Sequence, residues 1–135
     1  MEKFPTKVLR VRGAKLSGND GEISIEFDLE PFNFEVDGYQ DRADTSIRLD
    51  GISLPNDPTS LEEQEFTFPV NPEAGYIDGS VYILAAHNPV DVTKLRFGKL
   101  KGKTLPVDVE SLWDMEFECT GFKSFLFNFS SEIEL

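Results

Sequence analysis

The chain has 135 residues, 25 Asp and Glu against 13 Lys and Arg, one cysteine and a formal charge of −12. This length fits one domain that buries roughly two-thirds of its unfolded surface without disulfides or metals, and 39% apolar residues with 12 Phe exclude a disordered chain. The acidic balance opposes binding to nucleic acid or an anionic membrane, and no apolar run reaches the ~20 residues of a membrane helix, so a single cytoplasmic domain spanning 1–135 is expected.

Taken in chain order, the apolar residues repeat with a period of two, the signature of strands with one buried face. A short run of this kind covers Lys7 to Arg12. In "EISIEFDLE", Ile23, Ile25, Phe27 and Leu29 share one face, and Glu22, Ser24, Glu26, Asp28 and Glu30 share the other. The parity flips across Pro31, which predicts a bend there before a strand over Phe32 to Val36. "SIRLDGISL" reads as a hairpin turning at Asp50-Gly51, with a bulged single strand as the competing reading. "DPTSLEEQE" holds one helical turn, with Ser60 and Glu63 spaced as a capping box. Further strands are predicted over Glu65 to Phe68, Ser80 to Ala86, Lys94 to Phe97, Leu105 to Val109, Met115 to Cys119 and the C-terminal Ser124 to Leu135. No segment has an apolar period of 3.6. These segments imply an all-β chain, an antiparallel β-sandwich or partly open barrel of about eight to ten short strands. Its core should include Phe27, Phe117, Phe127 and Phe129, with Glu26, Glu116 and Asn128 in water.

Candidate chemistry is sparse. His87, the only histidine, continues the inward parity of Val81, Ile83 and Ala85, and a hairpin that turns at Asn88, Pro89 and Val90 would set it opposite Asp91. A structural role outweighs a catalytic one for such a lone histidine. Cys119 has the inward parity of Met115 and Phe117, and a thiol buried among apolar groups is inert. There is no Gly-x-Ser-x-Gly, no His/Cys spacing for a metal and no phosphate loop, so neither catalytic residues nor a cofactor is expected. Glu26, Asp28 and Glu30 read as a solvated sheet face rather than a glycosidase pair. Asp37, Asp41 and Asp44 offer oxygen ligands without the spacing of a calcium loop.

The basic residues are unevenly placed. Lys94, Arg96, Lys99, Lys101 and Lys103 form a cationic strip in an acidic chain, with Phe97 as the only interleaved aromatic, which poorly supports a nucleic-acid platform. Pairing with acidic strands of the same chain or of a partner is the expected use, and Lys94, Arg96 and Lys99 should each lie within reach of a carboxylate. The expected function is a non-catalytic acidic binding domain that docks a protein partner or its own copy, with Lys94, Arg96, Lys99, Lys101, Lys103, His87 and Asp91 as candidate contact residues. The alternative is a carbohydrate-binding domain or carboxylate-based hydrolase, with Trp113 or Tyr39 as sugar platform. Two close carboxylates and an exposed aromatic in one cleft would favour that alternative.

Overall fold

The computed structural model describes residues 1–135. In chain order the strands are β1 (Val11–Asn19), β2 (Glu22–Leu29), β3 (Phe32–Val36), β4 (Tyr39–Ala43), β5 (Ser46–Ile52), β6 (Glu65–Thr67), β7 (Asp78–Ile83), β8 (Ala86–Phe97), β9 (Thr104–Trp113), β10 (Phe125–Leu126) and β11 (Phe129–Glu134). The only helical pieces are a 3-10 turn at Thr6–Val8 and α1 (Pro58–Leu61). The fold is all-β, as the period of two predicts.

The sheet order places β9, β11, β1, β2, β5, β7 and β8 side by side, and β8 pairs again with β9, so seven strands close into a barrel. A sandwich would need two facing layers; here every edge of the ring is taken up by its neighbour, which removes the open edges a sandwich keeps. Closure comes from β1 and β11, which run parallel with Ala14 opposite Ile133. The other pairings are antiparallel, so the ring is mixed. Separate from it, β3 and β4 form a two-stranded sheet, reached through the bend at Pro31.

The barrel interior is filled by the inward parity of each strand, including Ile25, Phe27, Leu49, Leu95, Val107 and Trp113, all buried. Each such side chain stabilises the fold by ~1.5–3 kcal/mol relative to exposure. One end carries an aromatic cluster in which Phe4 meets Phe32, Phe34, Phe122, Phe125 and Trp113 at ring separations from 4.9 to 6.4 Å. The β3–β4 hairpin and the N-terminal segment thereby cover the barrel.

Several expected elements differ. Lys7 to Arg12 is not a strand: a 3-10 turn precedes β1, and a bulge between Val11 and Ala14 breaks the parity that would have revealed β1. Asp50-Gly51 is not a hairpin turn. β5 passes straight through it with one extra residue opposite Ile23 to Ile25, and Gly51 supplies the positive φ such a bulge uses. α1 is capped by Asp57, whose carboxylate accepts from Thr59 N–H at 3.1 Å, and not by a Ser60–Glu63 box. Met115 to Cys119 is a tight turn, so Phe117 and Cys119 point into solvent instead of the core. Phe27 is buried, while Phe127 and Phe129 are half-buried.

Candidate functional site

The β8 strand sets His87, Pro89 and Asp91 on its outer face, because alternate residues point to the same side of a strand. Asp78 and Ser80 of β7, Tyr76 just before it, and Asp114 and Phe117 just after β9 join them around an open cleft of about 660 Å³. No Lys or Arg lines this cleft.

Asp114 is held firmly. Its Oδ1 accepts from Phe117 N–H at 3.2 Å and from Ser124 Oγ at 3.1 Å, while its own N–H donates to Pro89 O at 2.9 Å and fastens the turn to β8. Asp91 is half-buried and has no hydrogen-bond donor of its own. Burial, and secondarily the charge of Asp114, push its carboxyl above the ordinary aspartate range. Phe117, 68% exposed, stands on the rim, and Leu126, 75% exposed, lies across β9 in line with Leu112 and Asp91. Two neighbouring carboxylates, one of them partly buried, beside exposed apolar side chains suit a ligand that brings positive charge and apolar surface together.

His87 does not sit opposite Asp91. The β7–β8 hairpin turns at Leu84-Ala85, two residues in left-handed backbone, and this register places His87 against Tyr82 with ring centroids 4.8 Å apart. His87 and Asp91 are four residues apart on one strand, about 13 Å of extended chain, and form no ion pair. The inward position belongs to Asn88, fully buried, whose Nδ2 donates to the carbonyls of Val81, Ile83 and Ala86 at 3.1 to 3.3 Å and closes the turn from inside.

The basic residues divide. Lys94 forms ion pairs with Glu110 at 3.2 Å and Glu65 at 3.9 Å. Arg96 lies across from Glu65 and Asp108 in register but reaches neither as an ion pair. Lys99, Lys101 and Lys103 occupy the β8–β9 loop with no carboxylate at ion-pair distance, so of the three residues expected to meet an acid only Lys94 does. That loop is fixed by reciprocal backbone bonds between Lys101 and Thr104 at 3.0 and 3.1 Å and by Leu135 N–H to Lys103 O at 2.8 Å. Asp91 and the lysines thus stand at opposite ends of one hairpin, about 25 Å apart along β8.

No known protein family, curated protein or solved structure matches the chain. The remaining sequence candidates are placed by the fold alone. Trp113 is buried and offers no sugar platform, whereas Tyr39 is exposed on the β3–β4 hairpin. Asp37 and Gly38 make the turn of that hairpin, and no group of three or more His, Cys, Asp and Glu is gathered closely enough to hold a metal ion. Glu26 and Asp28 are solvent-facing and meet Arg48 and Arg12 at 3.8 and 2.8 Å. No helix is long and apolar enough to cross a membrane. Sequence reasoning missed Asp114 and Phe117; the available signal was Asp114 three residues before Phe117, the spacing at which an Asp side chain caps a tight turn.

Proposed function

We propose that this protein is a non-catalytic binding domain whose cleft at Asp91, Asp114 and Phe117 docks a protein partner through a cationic segment. The observation that supports it is the carboxylate pair: Asp91 lacks any donor, Asp114 is oriented, and no cation of the same chain neutralises them. A Lys or Arg entering from a partner would supply the missing charge, with Phe117 packing on its aliphatic stem or guanidinium face. A catalytic role finds less support, since His87 is not oriented by an acid and Cys119 lies exposed on a turn without a histidine among its hydrogen-bond partners.

The test is a titration of the protein with a fluorescent Lys/Arg-rich peptide in ~0.15 M salt, followed by NMR shift mapping. Perturbations should concentrate on the cleft, and Asp91→Asn with Phe117→Ala should weaken binding about tenfold or more, the scale of a lost charge-assisted contact. Shifts spread evenly over all acidic faces, with no effect of the variants, would reject the cleft. One second reading has an observation behind it: two neighbouring carboxylates beside the exposed Phe117 ring also fit a carbohydrate site. Saccharide binding that Phe117→Ala abolishes, in the absence of peptide binding, would decide for it.

A further inference from the structure

We propose that the partner in this cleft is a second copy of the chain, docked antiparallel so that the Lys99–Lys103 loop of each copy enters the Asp78–Asp91–Asp114 cleft of the other. The inference rests on the reading of the cleft as a docking site and names its occupant.

Charge along the outer face of the β8–β9 hairpin carries the argument. The β7-side end is acidic and contains no cation. The middle is mixed in sign, with Lys94 lying between Glu110 and Glu65. The loop end presents Lys99, Lys101 and Lys103 without ion-pair partners, and the Glu62 carboxylate beside it accepts from Leu100 N–H at 2.9 Å without pairing to any of the three. Separated by about 25 Å of strand, the two ends of one copy cannot meet. An antiparallel neighbour satisfies both ends at once, and a two-fold arrangement is the commonest closed form of self-association. The loop backbone is already pinned, so little ordering is lost on docking.

The face lies at the small end of the range for specific interfaces. The β8 strand has 12 residues, so about 40 Å of length by ~15 Å across three strands gives on the order of 600 Å² before side-chain relief, against roughly 800 Å² per partner in standard interfaces. Leu126 and Phe117 contribute exposed apolar surface to it. Repulsion between two acidic molecules acts mostly over distances beyond ~8 Å, where physiological salt screens it, whereas contact pairs are screened far less. Nucleic acid is the poorer occupant of the lysine loop, because Phe97 is buried and no exposed ring stands among the lysines for a base to stack on.

Sedimentation of the full chain from about 10 to 500 µM at ~0.15 M salt reads the outcome. A reversible dimer is expected. The variant Lys99→Gln/Lys101→Gln/Lys103→Gln should weaken it at least tenfold. A Lys99→Glu/Lys101→Glu/Lys103→Glu chain and an Asp78→Lys/Asp91→Lys chain should each be monomeric, yet form a 1:1 dimer when mixed; Asp114 is left intact because it holds its turn. Circular dichroism on each variant separates lost association from lost folding. A chain that stays monomeric throughout, or assembles beyond the dimer, overturns the proposal; if it is monomeric but still binds the cationic peptide at the cleft, the functional reading stands. A dimer indifferent to both charge sets sinks the proposal, and the functional reading falls with it only if the cationic peptide also fails to bind at the cleft.

Discussion

A partly buried carboxylate without hydrogen-bond donors holds its proton more tightly, and Asp91 is such a group, with Asp114 adding a like charge nearby. Its carboxyl therefore titrates higher in the folded chain than in the unfolded one. Between those two values the folded state binds more protons, so the contribution of Asp91 to stability is fullest below the ordinary aspartate range and falls as pH rises through the raised value. Asp91→Asn should accordingly raise Tm at neutral pH, and the gap over the wild type should close as melts are repeated toward about pH 4. A second residue-scale prediction contrasts two phenylalanines. Phe27→Ala should cost ~3–5 kcal/mol in denaturant unfolding, while Phe117→Ala should stay within ~0.5 kcal/mol. The alternation in "EISIEFDLE" made Phe27 legible, because that strand is paired on both edges and keeps its pleat. The same alternation misled at Phe117 and Cys119, where Asp114 side-chain bonds turn the chain and period two has no sheet to refer to, while Met115 at the start of that turn is buried as its parity predicts.

Turns were the least legible elements, since their residues depart from the usual chemistry. Leu84 and Ala85 take φ of 56° and 57°, a region that Asn and Gly occupy with less strain, so nothing in "ILAAHN" marks a two-residue hairpin. The turn persists because Asn88 bonds three carbonyls from within and Leu84 packs against the core. Relieving the strain at the exposed position is therefore expected to help: Ala85→Gly should stabilise by ~1 kcal/mol in chemical unfolding, without changing the β7–β8 register. Asp50-Gly51 shows the converse, a dipeptide with hairpin chemistry used as a bulge, because β5 must continue between β2 and β7 to keep the ring intact. Gly79 is likewise set by a close approach, as a Cβ there would collide with the Val90 carbonyl of β8, the antiparallel neighbour of β7.

For the molecule as a whole, periodicity specified an all-β fold but not which strand lies beside which. Pairing across the β1–β11 seam depends on residues such as Arg12 and Ser131, whose hydrogen bond joins positions 119 residues apart, and no local pattern encodes that. Charge was half legible: the basic cluster stood out in the sequence, whereas the cleft opposite it draws on four separate segments and exists only once the barrel is closed. Closure itself is testable. A chain ending at Asn128 lacks β11, leaves β1 and β9 with open edges, and should lose the cooperative melt and dispersed amide spectrum of the whole chain. The seam also bears on synthesis. Because β1 precedes every other barrel strand and its parallel partner follows them all, the nascent chain cannot close its ring until Ile133 has left the ribosome, and until then the apolar face of β1 and β2 stays without its final cover. The chain should then depend on holding chaperones until β11 emerges, and slowed elongation before that point should increase that dependence instead of relieving it.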